Sequence, residues 1–126
     1  MSDYQKPPAG TISWFDLTVE DAAEIRDFYA NVIGWKWTPH PMGEYDDYDI
    51  RLPVSGETVT GICHAREGNA NVPPVWMMYV TVEDITASVT SCIALGGRVI
   101  DGPRPIGNMQ FCIIQDPAGA MLALIG

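Results

Sequence analysis

Two stretches of this chain repeat one another: residues 12–21 read ISWFDLTVED, and residues 75–84 read VWMMYVTVED. The second stretch follows the first by 63 residues, which is half the length of the 126-residue chain. At that offset TVED falls on an identical TVED, and Gly34 falls on Gly97. Chance is the alternative explanation, because TVED is short, but the matched glycines and the matched order of the following segments favour an internal duplication. The sequence therefore predicts two copies of one structural unit.

Each copy begins with a predicted strand that leads into a predicted helix. β-branched and aromatic residues fill ISWFDLTV and VWMMYVTV, as is typical of strands. An aspartate then follows in each copy, Asp21 and Asp84, and its side chain can accept hydrogen bonds from the free N–H groups of a helix start. Asp21 with Glu24 approximates a capping box, which strengthens the prediction of a helix at this point.

Both predicted helices carry an apolar stripe and stop at glycine. Apolar residues recur in the first helix at i, i+3, i+4 and i+7, namely Ile25, Phe28, Tyr29 and Val32, before Gly34. The second helix has a similar stripe ahead of its glycine pair, formed by Ile85, Val89, Cys92 and Ile93 before Gly96 and Gly97. One face of each helix is therefore expected to pack on a sheet.

Three further strands are predicted after each helix, which gives the order β-α-β-β-β twice and an α+β fold class. They cover about 35–38, 47–52 and 58–63 in the first copy and about 98–101, 109–115 and 121–125 in the second. Because 126 residues are too few for two independent domains, we expect a single domain over residues 1–126. Its modules would span about 11–64 and 74–126, after an N-terminal tail at 1–10. Two four-stranded modules side by side can curve their bare sheet faces into a shared trough, the expected ligand site.

Composition and charge exclude several classes of function. The net charge of −9 leaves no basic stripe for nucleic acid. No apolar run reaches the roughly 20 residues that span a bilayer, and the polar, proline-containing start MSDYQKPPAG is unlike a signal peptide. We therefore expect a cytoplasmic protein with neither a nucleic-acid nor a membrane partner. The three cysteines, Cys63, Cys92 and Cys112, have no C-x-x-C spacing and are expected to be reduced and structural.

Three segments carry a resemblance to a known family: FYANVIGW at residues 28–35, ALGGRV at 94–99 and DPAGAMLAL at 116–124. In this order, and with the repeat, they resemble the vicinal oxygen chelate superfamily. That superfamily includes glyoxalase I, bleomycin-resistance proteins, fosfomycin-resistance enzymes and extradiol dioxygenases. The resemblance covers residues from about 11 to 126 and implies the glyoxalase-like fold of two βαβββ modules around a trough.

The resemblance also implies metal-ligand positions, and the residues found there differ from the family pattern. Trp14, Met77 and Ala123 occupy three of the positions, and the fourth falls at Cys63 or His64. The first three side chains are not ligands for Fe, Mn, Ni or Zn, which prefer imidazole or carboxylate. We therefore expect no metal cofactor.

Other residues could rebuild a metal centre, but they are predicted to lie in exposed loops. His40 sits in the segment TPHPMG, where a solvated loop histidine is expected. Four acidic residues follow it and are expected to be solvated surface: Glu44, Asp46, Asp47 and Asp49.

Strand alternation predicts which side chains line the trough, because residues two apart point to one face. Trp14 would share its face with Asp16, while Phe15 and Leu17 point to the helices. In the second copy Met77 would share its face with Tyr79. The last strand would contribute Met121, Ala123 and Ile125. The predicted ligand-binding set is thus Trp14, Asp16, Cys63, His64, Met77, Tyr79, Met121 and Ala123, with Asp16 and Tyr79 as catalytic candidates.

Two classes of function follow. The first is a protein without the family's metal ligands that binds a small apolar or aromatic molecule, as bleomycin-resistance proteins bind their drug. The second is an enzyme of the same superfamily, a lyase, isomerase or dioxygenase, which depends on a metal or uses Asp16 as a base. A subunit of a larger assembly is a third alternative. The resemblance also implies a homodimer, and the outer sheet edges need cover.

Overall fold

A computed structural model describes residues 6–126 of the chain and confirms the predicted order of elements in both copies. The first copy comprises β1 (Ile12–Val19), α1 (Ala22–Ile33), β2 (Lys36–Pro41), β3 (Asp46–Arg51) and β4 (Thr58–His64), followed by a short 3-10 turn at Glu67–Asn69. The second comprises β5 (Met77–Thr81), α2 (Ile85–Ala94), β6 (Arg98–Ile106), β7 (Met109–Gln115) and β8 (Met121–Ile125). These eight strands and two α-helices form an α+β fold. Neither helix of residues 6–126 is long and apolar enough to cross a membrane.

The chain divides into two compact units, and the division falls inside β1. The first unit is Phe15–Trp76, and the second joins the segment up to Trp14 to Met77–Gly126. Backbone hydrogen bonds hold this N-terminal segment to β5: Gly10 donates to the Thr81 carbonyl at 2.8 Å, and Thr81 donates to the Thr11 carbonyl at 2.9 Å. The module boundaries and the shared trough remain predictions.

The first unit has a sheet in the order β2-β3-β4-β1, in which β1 and β4 are parallel and the other pairs antiparallel. Its core consists of Leu17, Ala22, Ile50 and Ile62, each 4 % exposed or less. Ile25 and Tyr29 of α1 pack against this cluster. The core therefore lies between α1 and one face of the sheet.

The second unit has the order β5-β8-β7-β6, in which β5 and β8 are parallel. Ile85 of α2 packs with Cys112 and Leu124, and the surrounding strands, together with the residue that follows β5, add further half-buried residues. Those residues are Val80, Val82, Ile114 and Leu122. Every second residue of β5, β7 and β8 thus faces α2, which leaves the intervening residues on the opposite face.

Both helices begin as predicted but end differently. The Asp21 side chain accepts from the Glu24 N–H at 3.1 Å, and the Asp84 side chain accepts from the Ala87 N–H at 3.1 Å. Gly34 then closes α1 in the left-handed conformation, with φ of 89°. In the second copy Gly96 takes this conformation, with φ of 93°, although the 63-residue offset matches Gly34 to Gly97. Because α2 has 10 residues and α1 has 12, the two helices stop at non-equivalent positions.

The helix stripes are only partly buried. Phe28 and Val32 of α1 are 54 % and 64 % exposed, and Ile93 of α2 is 60 % exposed. Phe15, which alternation directs toward the helix side with Leu17, is 46 % exposed although Leu17 is 4 % exposed. Each stripe thus packs on its sheet through some of its residues, Ile25 and Tyr29 in α1 and Ile85 and Val89 in α2, and leaves the others exposed, because a single helix on a sheet buries only part of its circumference.

Candidate functional site

The sheet face of the first unit that points away from α1 is acidic. Tyr48 and Ile50 of β3 pack on the α1 side, so Asp47 and Asp49 between and beside them point to the other face. The same alternation puts Asp16 of β1 and Cys63 of β4 on that face, since Leu17 and Ile62 lie in the core. We call Asp16, Asp47, Asp49 and Cys63 the acidic face.

Asp16 and Asp49 flank a glycine on this face. Gly61 of β4 pairs with Asp16 on one side and with Asp49 on the other. A Cβ atom at Gly61 would lie 3.9 Å from the Asp16 Cβ and 4.0 Å from the Cys63 sulfur, in van der Waals contact with both, so no side chain stands between the two aspartates. This row of residues provides two carboxylates on neighbouring positions of one surface.

His40 and Arg51 contact the outer end of this row. The Nδ1 atom of His40 lies 3.4 Å from the Asp49 carboxylate, and Arg51 Nη2 lies 4.0 Å from it. The prediction of an exposed loop is wrong for four of these residues, because β2 includes His40 and β3 includes Asp46, Asp47 and Asp49. The two prolines of TPHP led to the prediction of a loop, because proline is rare inside sheets. The segment is instead a strand at the edge of the sheet, where proline is tolerated.

Cys63 is a protonated thiol on the acidic face. Burial raises its pKa well above the usual value, and the carboxylates of Asp47 and Asp16 raise it further. Asp47 is 6 % exposed and accepts a hydrogen bond from the His64 N–H at 2.8 Å. Cys112 behaves similarly, since burial raises its pKa to about 11. A thiol held in the protonated form is a poor nucleophile.

His64, the alternative to Cys63 in the predicted set, lies on the other side of the sheet. Its ring contacts two tyrosine rings, with centroid separations of 5.7 Å from Tyr45 and 6.0 Å from Tyr48. Its Nδ1 atom lies 3.4 Å from the Glu20 carbonyl oxygen. Of the predicted residues in the first unit, the structure therefore brings Cys63 and Asp16 to one face and His64 to the opposite one.

The corresponding face of the second unit is apolar. Tyr79, Ala123 and Ile113 follow one another across β5, β8 and β7, while Val80, Leu124 and Ile114 point to α2. Met77 precedes Tyr79 by two residues and shares its face, as Met121 does with Ala123. We call Met77, Tyr79, Phe111, Ile113, Met121 and Ala123 the apolar face.

An arginine is stacked on this apolar face. The rings of Tyr79 and Phe111 stack with centroids 5.7 Å apart. The Arg104 guanidinium lies 4.7 Å from the centre of the Phe111 ring and forms an ion pair with Asp101 at 3.1 Å. Sequence analysis missed both Phe111 and Arg104. Alternation within the predicted strand 109–115 could have found Phe111, but Arg104 follows an irregular stretch of β6 that the sequence does not reveal.

Accessibility divides the predicted ligand-binding residues. Trp14, which belongs to the second unit, is 38 % exposed, and Asp16, Tyr79 and Met121 are partly exposed. Met77 and Ala123 are 1 % and 0 % exposed. Solvent therefore reaches the first four side chains, whereas Met77 and Ala123 lie beneath the surface of their own unit.

The side chains at the metal-ligand positions do not fit a divalent metal. Indole, thioether and methyl groups stand at Trp14, Met77 and Ala123, the positions that the resemblance implies for three of the ligands, and none of these groups binds a divalent metal ion in the way imidazole or carboxylate does. Among residues 6–126, no three His, Cys, Asp or Glu side chains are arranged to hold a metal ion.

Comparison with known proteins agrees with this architecture. A protein named as a candidate glyoxylase, CFP32 of Mycobacterium tuberculosis, is 30% identical over 125 residues, which is 98% of this chain and 47% of that protein. The anthracycline biosynthesis protein DnrV of Streptomyces peucetius is 26% identical over 123 residues, covering 92% of this chain and 41% of that protein. The chain thus spans about half the length of the curated relatives it matches.

Solved structures show the same fold at low sequence identity. The crystal structure of methylmalonyl-CoA epimerase from Mycobacterium tuberculosis superposes with a TM-score of 0.51 at 14% identity, over 99% of this chain and 91% of that one. The sequence profile of one family matches residues 11–124, nearly the whole chain. The protein therefore belongs to the Glyoxalase/Bleomycin resistance protein/Dioxygenase superfamily.

Proposed function

We propose that this protein binds a small, largely apolar or aromatic molecule that carries one polar group. The observation that carries the proposal is the chemistry of the apolar face, where aromatic rings and thioethers stand at and around the family's metal-ligand positions. Ligand sites in proteins are mainly apolar and contain a few polar groups that fix orientation. Trp14 and Met121 would contact the apolar body of the ligand.

Two polar side chains could orient such a ligand. Tyr79 presents a phenol beside the Phe111 ring, and Asp16 lies on the acidic face of the first unit. An aspartate inside a strand is unusual, because strands disfavour it. We propose that Asp16 or Tyr79 binds the polar group of the ligand.

A fluorescence screen of small aromatic acids and phenols tests the proposal. A bound ligand should quench tryptophan emission because Trp14 contacts it, and Trp14→Phe should remove most of that change. Trp37→Phe is the matched control, since the Arg26 guanidinium covers the Trp37 ring at 3.8 Å within the first unit. Quenching that survives in Trp14→Phe and disappears in Trp37→Phe would refute the proposed position of the ligand.

Replacing Asp16 by Asn tests the polar anchor. Affinity for an aromatic acid or phenol should become less dependent on pH, because a titrating carboxylate has been removed, while the fold stays intact. Asp27→Asn is a suitable control, since its carboxylate is 58 % exposed on α1 and pairs with Arg26. Binding that is identical in Asp16→Asn and the wild type at every pH would exclude Asp16 as the anchor.

An enzyme of the superfamily is the second candidate function, favoured by the two carboxylates of Asp16 and Asp49 on either side of Gly61. One of them could remove a proton next to a carbonyl group. Incubation with small 2-oxo and 2-hydroxy acids in deuterated water, followed by NMR, should then show deuterium incorporation that Asp16→Asn abolishes. Stoichiometric Ni, Fe, Mn or Zn that survives dialysis of the purified protein would instead favour a metal-dependent lyase, isomerase or dioxygenase.

A further inference from the structure

Two adjoining cavities lie in the first unit on the α1 side of the sheet, opposite the acidic face. One has a volume of about 340 Å³ and is lined by Leu17, Ile25, Phe28, Tyr29 and Trp76, among others. The other has a volume of about 440 Å³ and is lined by Glu20, Ala65 and Val72, among others. Val19 and Pro74 line both, so the two cavities are neighbours that meet at these two residues. We call the pair of cavities the helix-side cleft.

One end of the helix-side cleft is a wall of aromatic rings. Trp76 stands against Tyr29, with ring centroids 5.3 Å apart at 76°, and against Trp35, at 6.1 Å and 70°. The Trp76 Nε1–H donates to the Tyr29 hydroxyl oxygen at 3.1 Å, which satisfies the polar atom of the indole. Trp76 and Phe28 nevertheless remain 37 % and 54 % exposed. These rings therefore present apolar, π-rich surface to any molecule that enters.

The other end of the cleft is negatively charged. Glu20 lines it, Asp21 follows as the N-cap residue of α1, and Glu24 lies in the first turn of that helix. The positive end of the helix dipole amounts to about half a charge, which is less than the charge of these three carboxylates. The nearby cations are engaged with rings elsewhere: Arg26 lies over Trp37 at 3.8 Å, and Arg66 lies over Tyr45 at 4.1 Å.

We propose that the helix-side cleft binds a small organic cation with a flat apolar body, such as an aromatic or quaternary amine. The rings of Trp76, Tyr29 and Phe28 would contact the apolar body and the face of the cation, since ring quadrupoles attract positive charge. Glu20 would supply the opposite charge at the other end. This proposal does not rest on the proposed function, because its residues lie on the opposite side of the sheet from the acidic face.

NMR titration of the tryptophan indole signals tests the proposal directly, because the chain contains four tryptophans and only Trp35 and Trp76 belong to the aromatic wall. Three isosteric probes separate charge from shape: trimethylphenylammonium, neutral tert-butylbenzene and benzenesulfonate. The cation should shift the Trp76 indole signal at low millimolar concentration and leave those of Trp14 and Trp37 in place. Benzenesulfonate should leave all four signals unchanged.

Two variants assign the interaction to named residues. Glu20→Gln should weaken binding of the cation about three- to fivefold, the range expected of a partly exposed ion pair, and leave binding of tert-butylbenzene unchanged. Glu57→Gln makes the same change of charge in the turn before β4 and serves as the matched control. Phe28→Ser, at a position that is 54 % exposed, should also weaken binding of the cation.

Three results would overturn the proposal. Equal affinity for the cation and its neutral isostere would show that the cleft recognises apolar shape alone. An unchanged Trp76 signal would show that the probe does not bind there. A Trp76 signal that shifts on dilution of the protein without any probe would show that a second copy of the chain occupies the cleft.

Discussion

At the scale of single residues, burial controls the chemistry of Cys63. The thiolate form is unfavourable because the side chain is desolvated and lies near Asp47 and Asp16. The raised pKa has a defined effect on stability. The protonated Cys63 thiol contributes to the free energy of unfolding in full below the ordinary thiol pKa of 9.0. This contribution is lost as the pH rises toward the higher pKa of the folded state.

We therefore predict that the wild type loses stability relative to Cys63→Ala as the pH is raised from 8 to 10.5, across the ordinary thiol pKa of 9.0. Urea unfolding at several pH values measures the difference. The wild type should also lose stability relative to Cys112→Ala over this pH range, because the pKa of Cys112 is raised to about 11. Parallel pH profiles of wild type and Cys63→Ala would contradict this account.

Side chains at the candidate site were predictable where they lie in regular strands. Alternation placed Asp16 opposite Leu17 and Met121 beside Ala123, because the side-chain period of a strand is two residues. It could not show that Met77 and Ala123 are inaccessible, since accessibility depends on the neighbours of a strand. Nor could it choose between Cys63 and His64, because shifting a strand by one residue exchanges its faces.

At the scale of elements, the aspartate caps explain why the repeat is visible in the sequence. Asp21 and Asp84 are the last residues of TVED in the two copies. The side chain of each accepts a hydrogen bond from the N–H of the third helical residue. We predict that Asp21→Ala and Asp84→Ala each lower the free energy of unfolding by about 1 kcal/mol. Chemical denaturation measures it, with Asp27→Ala as a control at an exposed position within α1. A loss in the control equal to that in the cap variants would contradict a capping role.

The glycines that follow the helices have different roles despite their alignment. A Cβ at Gly97 would lie 2.5 Å from the Cys92 sulfur and 3.0 Å from the Gln115 carbonyl oxygen. We predict that Gly97→Ala destabilises the protein by about 2 kcal/mol through overcrowding, and that adding Cys92→Ala restores part of the loss. Gly34→Ala should cost about 1 kcal/mol through its left-handed conformation alone, because no atom lies within 4 Å of its Cβ position. Thermal unfolding of the single and double variants tests both. Absence of any rescue would show that Cys92 is not the obstacle.

The order of elements was predictable because periodicity and capping agree along most of the chain. The ends of the strands were less predictable. Strand β6 extends to Ile106, beyond the predicted end at 101, and β2 extends to Pro41, beyond the predicted end at 38. Pro103 and Pro39 interrupt the strand pattern in these extensions. Edge strands tolerate proline, because one side of their backbone makes no sheet hydrogen bonds.

At the scale of the whole molecule, exposed apolar residues support a second copy as partner. Val32 and Ile33 of α1 are 64 % and 51 % exposed, and Leu95 after α2 is 78 % exposed. We propose a homodimer and expect light scattering at tens of micromolar to give about twice the 13.8 kDa of one chain. A mass near 13.8 kDa would contradict it.

The hydrogen bonds between Gly10, Thr11 and Thr81 have a consequence for the order of events during synthesis. The N-terminal segment leaves the ribosome first, but its partner strand is made about 70 residues later, which takes roughly 4 to 14 seconds at 5–20 residues per second. Phe15–Trp76 can meanwhile collapse on its own residues. The hydrogen bonds of Gly10 and Thr11 to Thr81 can therefore form only after β5 has been made, so the second unit is completed later than the first.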